Sequence, residues 1–119
     1  MASGYPDWRP PGSGAGGRTI ALVVLAAAGD IIPAPGAGFR IVLFDFMTIP
    51  SAAGAGGTFA EVTPANVLVR NLLDLVSVAN GFIPYPFAGL PFAPGNKFRL
   101  TGSGGATWHI HITYVLEAV

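Results

Sequence analysis

Two histidines near the end of the chain, His109 and His111, have the type and spacing closest to a metal-binding motif. Side chains alternate along a strand, so both imidazoles are expected on one face, about 7 Å apart. The next carboxylate, Glu117, stands six positions after His111, and the sequence contains no third histidine. One chain therefore offers fewer ligands than a closed metal site usually has, and we predict no metal. The two histidines either form a ring around an oligomer axis or are ordinary interface or solvent-facing residues.

Other residues with chemical potential are scattered along the chain. Ser13, Ser51 and Ser103 lie in glycine-rich loops without a nucleophile-elbow motif, and the glycine runs lack the Lys-Ser/Thr pair of a phosphate loop. No spacing marks a catalytic pair among the remaining carboxylates, Asp7, Asp30, Asp45, Glu61 and Asp74. With no cysteine, the chain has no disulfide, thiolate metal site or thiol redox chemistry. We predict that the protein is not an enzyme and needs no cofactor.

Two charged residues, Arg40 and Asp45, interrupt the otherwise apolar segment from Phe39 to Met47. A charge inside such a strand is costly unless it is paired. The two residues fall on opposite faces, so they are not expected to pair with each other. We predict that each meets a partner from another strand or subunit, in a structural ion pair rather than a catalytic role.

The composition indicates a single domain with more apolar surface than one core can bury. Hydrophobic residues make up 51% of the 119 residues and charged residues only 10%, whereas about 25% charged is typical of globular domains. Large exposed apolar patches usually mark interfaces, so self-association is expected. Six basic residues balance six acidic ones without a basic stripe, which argues against a nucleic-acid partner. The run Thr19–Ala28 is shorter than the about 20 residues that span a membrane, so no membrane partner is expected.

Short β-type runs separated by glycine and proline continue from Thr19 to the end of the chain and predict an all-β protein. A chain of this size suits an eight-stranded jelly-roll sandwich. The predicted strands are Thr19–Ala28, Phe39–Thr48, Thr58–Val62, Asn66–Leu72, Asp74–Ala79, Phe87–Phe92, Lys97–Thr101 and Thr107–Leu116. The stretch from Val67 to Val78 shows no clean helical period, so two strands with a turn near Asn71 to Leu73 are preferred to a helix.

Alternation within the strands predicts which faces are buried. Alternate residues from Trp108 to Leu116 are apolar, and those from His109 to Glu117 are mostly polar, which indicates a strand with a core on one side only. The segment Ile20–Leu25 is instead apolar on both faces. That pattern is typical of a strand under a second layer or at a subunit interface.

The segment from Ile83 to Gly95 is rich in proline and aromatic residues. Backbone donors are missing at Pro84, Pro86, Pro91 and Pro94. A central strand does not tolerate these losses, so the segment is expected at a rim or edge. Most of its aromatic residues are expected to close the end of the sandwich. Tyr85 and Phe87 are the candidates to face a partner instead, since aromatic residues are enriched at interfaces.

Residues 1–18 form an extended N-terminal arm rich in glycine and proline, ahead of the predicted jelly-roll domain of residues 19–119. Ordering such an arm costs about 1–2 kcal/mol per residue, so a partner would have to hold it. Tyr5, Trp8 and Arg9 are the residue types best able to anchor it on that partner. The other interpretation is a disordered tail.

The order of segments in the C-terminal half resembles a known group of proteins. An apolar strand ends in Ala79-Asn80-Gly81, and a loop rich in proline and aromatic residues follows. A strand from Gly95 to Leu100, a Gly/Ser/Ala hairpin and a last strand ending near Tyr114 complete the order. It resembles small bacteriophage structural jelly-roll proteins of the capsid decoration (cement) or head-fibre type. The segment Arg18–Ile49 matches that group more loosely.

The resemblance implies a viral structural protein, a capsid decoration (cement) protein that binds the outer surface of the shell. Its partners would be copies of itself, commonly as a homotrimer, and the major capsid protein. It would be made in the host cytoplasm and located on the virion. Similar jelly rolls occur in phage tails and baseplates, and a receptor- or carbohydrate-binding module is a further alternative. A cupin-type enzyme is disfavoured, because its His-x-His motif is followed by a closer Glu and by another histidine.

Overall fold

The computed structural model of this chain describes residues 18–51, 56–76 and 83–119. The predictions for the N-terminal arm, with Tyr5, Trp8 and Arg9, and for Ala79-Asn80-Gly81 lie outside these ranges. Arg18 was predicted to be the last residue of the arm, but it is the first residue of the first strand, so the arm ends at residue 17.

The described residues form eight β-strands, and the predicted all-β class is confirmed. The strands are β1 (Arg18–Leu25), β2 (Gly29–Ile32), β3 (Phe39–Pro50), β4 (Gly56–Val62), β5 (Leu68–Val76), β6 (Ile83–Pro91), β7 (Lys97–Gly102) and β8 (Trp108–Ala118). Within the described ranges, no helix is long and apolar enough to span a membrane.

The strands form two antiparallel four-stranded sheets. Sheet A has the order β1-β8-β3-β6, and sheet B has the order β2-β7-β4-β5. The pairing is nested, because β1 pairs with β8, β2 with β7, β3 with β6 and β4 with β5. Contacts of β3 with β8 and of β4 with β7 join these four pairs into the two sheets. The chain is therefore one long hairpin, with its turn between β4 and β5.

The core is built from alternate residues of strands in both sheets. In β8, Trp108, Ile110 and Ile112 are buried, while His109 and His111 are exposed. The predicted faces of this strand are thus confirmed up to Ile112, whereas Leu116 is exposed although its face was expected to be buried. The other buried core residues are Ile31, Ile32, Ile41, Leu43, Phe46, Phe59, Leu73, Phe92, Phe98, Leu100 and Ala106.

Aromatic rings connect the two sheets. The centroid of the Phe59 ring on β4 lies 5.1 Å from that of Phe46 on β3 and 5.5 Å from that of Trp108 on β8. Both contacts are T-shaped, an arrangement that aromatic pairs prefer. The indole of Trp108 also lies directly over Gly57, where an added Cβ would overlap the ring. Only glycine at position 57 lets the indole approach the β4 backbone this closely.

Three strands differ from the prediction: β6 begins at Ile83 rather than at Phe87, and β5 and β2 differ more. The sequence predicts two strands in the region Asn66–Ala79, but Leu68–Val76 is one strand, and its register against β4 shifts twice. A register shift absorbs a residue that breaks the alternation, so the strand continues through the expected turn. The short strand β2 was not predicted. Its four residues are too few to show a period of their own.

Candidate functional site

The two histidines of the predicted motif lie on the outside of sheet A. Their strand, β8, runs between β1 and β3. In the register, His111 stands beside Leu22 of β1 and Met47 of β3, so its neighbours on both strands are apolar. Among the described residues, no group of three His, Cys, Asp or Glu side chains is placed to hold a metal ion.

The histidines and their neighbours form a continuous surface, which we call the outer face of sheet A. Residues opposite each other on adjacent strands point to the same side of a sheet. By this rule the face comprises Ile20, Leu22 and Val24 of β1, His109, His111 and Thr113 of β8, and Met47 and Ile49 of β3. The three β1 side chains are 66%, 67% and 60% exposed, respectively. The β1 and histidine part of this face is therefore exposed, while Met47, Ile49 and Thr113 are half-buried.

The structure separates the two faces of β1, which the sequence shows only as apolar on both sides. Ala21, Val23 and Leu25 pack against the core between the sheets. The alternate row Ile20, Leu22 and Val24 points away from it. No second layer formed by the described residues covers that row. Of the two interpretations of this strand, burial under a second layer is wrong for the outer row, and the subunit interface stays a prediction.

Charged residues lie beyond one end of this apolar row, past Ile20. The Arg18 guanidinium sits 4.0 Å from the centroid of the Phe44 ring, in a cation–π contact. Arg40 of β3 forms an ion pair with Glu117 of β8. This pair is the contact with another strand that the sequence predicts for Arg40. Both side chains are partly exposed, so the pair contributes little to stability.

Asp45 lies at a bulge in β3. The register of β3 against β8 shifts between Leu43 and Phe46, where β3 contains one extra residue. The extra residue changes the alternation, so Arg40 and Asp45 point to the same side of sheet A, and the expectation of opposite faces is wrong. Asp45 is exposed and has no ionic partner among the described residues. A partner from another subunit stays a prediction.

The two rim residues, Tyr85 and Phe87, lie on β6, which is an edge strand of sheet A as its prolines predict. The Phe87 ring packs edge-on against Phe46 and Phe98, with centroid distances of 5.9 and 6.2 Å. Phe87 therefore closes one end of the core. Tyr85 contacts Phe87 and remains 43% exposed, so of the two it has more surface left for a partner.

Sheet B carries an ion cluster on its outer side. Asp30 accepts hydrogen bonds from Lys97 Nζ at 3.0 Å and from Arg99 Nη1 at 2.7 Å. Burial raises the pKa of the Asp30 carboxyl, but the hydrogen bonds and charges of Lys97 and Arg99 outweigh it and hold the pKa below its usual value. Ala60 and Val62 stand opposite Arg99 and Lys97 in the register and are buried. The long basic side chains thus cover apolar surface on this side.

One buried carboxylate, Glu61 of β4, is not signalled by any motif in the sequence. It is only 1% exposed and accepts hydrogen bonds from Arg70 Nε at 2.7 Å, the Ala93 backbone N–H at 2.9 Å and Asn96 Nδ2 at 2.8 Å. These three donors lie 9, 32 and 35 positions away along the chain, so no local spacing reveals the cluster. Since both carboxylate oxygens are engaged, we assign Glu61 a structural role that ties β4 to β5 and to the β6–β7 connection.

Comparison of the chain with known proteins finds no matching family model, no matching curated protein and no matching solved structure. The likeness to phage jelly-roll proteins therefore stays an expectation from the sequence.

Proposed function

We propose that this protein is a structural building block that associates with copies of itself. One observation carries the proposal: the outer face of sheet A is mainly apolar and exposed, and its row Ile20, Leu22 and Val24 projects from the surface. Contiguous apolar surface of this kind is usually a binding surface in soluble domains. Removing it from water contributes roughly 25 cal/mol per Å² of apolar area, which favours contact with another apolar face.

We propose further that the two sheets form a jelly roll. The nested pairing of the strands supports this topology, since rolling one long four-pair hairpin into two layers gives the orders β1-β8-β3-β6 and β2-β7-β4-β5. Eight-stranded jelly rolls of two sheets are frequent among viral capsid and lectin domains. A fold shared by such different proteins does not determine function, so the role is argued from the exposed face.

Within this fold, the role we propose is capsid decoration on the outer surface of a phage shell, as a homo-oligomer and most simply a trimer. The resemblance of the C-terminal half to phage jelly-roll proteins supports this role, together with the exposed apolar face. The arm, residues 1–17, would reach the major capsid protein through Tyr5, Trp8 and Arg9. Many copies acting together would bind the shell firmly even if each single contact were weak.

The test is to follow the chain through purification of phage particles. Particles from a producing culture are separated on a density gradient, and each fraction is probed with an antibody raised against the purified chain. We expect the chain to co-sediment with shells in many copies per particle, in a fixed ratio to the major capsid protein. Its absence from every particle fraction would contradict a virion role.

Copy number and location also test the alternatives. A few copies per particle, found on isolated tails, would favour a tail or baseplate protein over a decoration protein. Binding of the purified chain to a glycan array would favour a carbohydrate-binding module. Deletion of residues 1–17 should leave the oligomer intact and weaken its attachment to shells, because no residue of the described core is lost.

A further inference from the structure

The two sheets end in four edge strands, and these edges are not alike. Sheet A ends in β1 and β6, and sheet B ends in β2 and β5. An edge strand presents unpaired backbone N–H and C=O groups that can pair with another strand. Natural proteins protect such edges with prolines, bulges, charges or short length.

Three of the four edges carry these protections. On β6, Pro84 and Pro86 lack N–H groups, and Ala88 and Gly89 have φ of 56° and 91°, which breaks regular strand geometry. On β5, charged side chains and two register shifts interrupt the edge. The strand β2 has only four residues, and its register shifts after Asp30. None of these three edges offers a long regular ladder.

The edge formed by β1 has none of these protections. Its eight residues pair with β8 in unbroken register from Arg18 to Leu25. The strand contains no proline or glycine, and Arg18 at its first position is its single charged residue. Among the described residues, β8 is its one paired neighbour. The exposed row Ile20, Leu22 and Val24 belongs to this same strand.

We infer that β1 is a strand-pairing edge whose partner is β1 of a second copy, running antiparallel about a two-fold axis at Leu22. Such a contact joins two copies of sheet A into one continuous eight-stranded sheet. Each copy then supplies the missing hydrogen-bond partners of the other, as in other cases of β-strand addition. The inference rests on the proposed self-association and adds the β1 edge to the outer face of sheet A as a contact between copies.

The sequence of β1 is complementary to itself in this arrangement. With Leu22 opposite Leu22 of the second copy, Ile20 falls opposite Val24, so every pair on the outer face is aliphatic. Directly opposed apolar side chains stabilise antiparallel pairs, and opposed like charges destabilise them. The two Arg18 residues lie at opposite ends of the paired segment and do not face each other. On the inner side Ala21 falls opposite Val23 and Thr19 opposite Leu25, so a second copy fits this edge without opposing like charges.

A two-fold contact has a defined effect on assembly size. It doubles whatever cyclic assembly the other surfaces form, because each chain has one β1 edge. A chain with no other contact becomes a dimer, and a trimer becomes a hexamer with both two-fold and three-fold axes. The inference therefore predicts a mass that is an even multiple of the 12.2 kDa chain mass.

The test uses reciprocal charges at the proposed axis in the full-length chain. Sedimentation velocity is recorded for the wild type, Leu22→Lys, Leu22→Glu and an equimolar mixture of the two variants. Each variant alone should sediment at half the wild-type mass, because two like charges oppose each other at the axis. The mixture should recover the wild-type mass, because Lys then faces Glu. Val69→Lys is the matched control, since Val69 is an exposed aliphatic residue on the other long edge strand, β5, and should leave the mass unchanged.

Hydrogen exchange provides a second readout that needs no substitution. In the wild type, amides of β1 that point away from β8 should gain protection as concentration rises through the association range. One result would overturn this inference: the wild type is an oligomer, both Leu22 variants keep its mass, and β1 gains no protection as concentration rises. The proposed self-association would still stand in that case. A wild type that stays at 12.2 kDa throughout would contradict the proposed self-association itself. The β1 amides could instead be protected at every concentration and lose this protection when residues 1–17 are deleted. That result would show that the arm of the same chain pairs with the β1 edge, and it would overturn pairing with a second copy.

Discussion

Sheets A and B both bury apolar side chains between them, but their outer sides differ, since that of sheet B is charged and that of sheet A is mainly apolar. The outer side of sheet B carries the charged cluster of Asp30, Lys97 and Arg99. The outer face of sheet A carries aliphatic residues around two histidines, with Asp45 at the β3 bulge and the other charges beyond its Ile20 end. On the outer side of sheet B, long basic side chains cover the apolar residues, so this side is suited to contact with water. On the outer face of sheet A, Leu22 projects from the surface, so this face is suited to contact with a protein partner.

The largest expected effect tests the contrast between the two faces of sheet A. Ile110→Ala removes a fully buried side chain from β8 and should lower the free energy of unfolding by about 2–5 kcal/mol. His111→Ala, on the exposed side of the same strand, should lower it by less than about 1 kcal/mol. Urea denaturation curves of both variants and the wild type measure these values. Similar losses from the two substitutions would show that the assigned faces are wrong.

The next effect tests how closely the two sheets approach each other. In Gly57→Ala, the new methyl group would overlap the Trp108 indole, so the ring or the β4 backbone must move. Such overpacking should cost about 1–3 kcal/mol. Gly56→Ala is the matched control, because an added Cβ there meets no heavy atom within 4 Å. Thermal unfolding followed by circular dichroism compares the two, and an equal effect would contradict the proposed sheet contact.

A smaller effect tests the charged side of sheet B. The folded pKa of Asp30 is lowered, so the pair with Lys97 and Arg99 stabilises the fold above the unfolded carboxyl pKa of about 4. This stabilisation should be lost as pH falls through the folded pKa. Because Asp30 is partly exposed, the loss should stay below about 1 kcal/mol. Denaturation curves from pH 6 to pH 2.5 should be less pH-dependent in Asp30→Asn than in the wild type, and equal pH dependence in the two would contradict the assigned role of Asp30.

The smallest effect concerns Tyr114 of β8, which is partly buried and packs against the core. Burial raises the pKa of the Tyr114 phenol above its usual value of 10.0. The unfolded chain therefore ionises first as pH rises above 10, and the wild type should lose stability there. Tyr114→Phe should remove this part of the alkaline loss and change little at pH 7. Denaturation at pH 8 and pH 11 measures the difference, and an identical alkaline loss in wild type and variant would contradict the assignment.

The sequence predicts best those parts of the fold that depend on alternation or on proline. The faces of β8 follow from its alternation up to Ile112, and the edge position of β6 follows from prolines that cannot donate to a central ladder. The alternation of apolar and polar residues does not reveal β-bulges. The extra residue in β3 moves Asp45 to the side of Arg40, and two shifts keep β5 continuous through Asn71.

The same distinction holds for the candidate site, where the sequence shows some features and long-range pairing determines the others. The apolar row of β1 is visible in the sequence as a strand apolar on both faces, but which face is exposed depends on its position beside β8 at the end of the sheet. The cluster around Glu61 depends on donors from two other segments, β5 and the β6–β7 connection, so only the folded chain brings it together. Local pattern thus gives strands and faces, and long-range pairing gives edges and polar clusters.

The nested pairing of the strands also determines the order in which the chain can fold. The turn between β4 and β5 closes over a few residues, with hydrogen bonds between Thr63 and Val67, so its entropic cost is small. The outermost pair joins Arg18 to Val115 across most of the chain, and contacts this distant are slow to form. We therefore expect β1 to dock last, which pulse-labelling hydrogen exchange during refolding would detect as late protection of its amides. Before β1 docks, the edge of β8 in a newly made chain would lack its partner strand. At high concentration β1 of a neighbouring chain could pair with that edge, and this strand exchange would compete with folding within one chain.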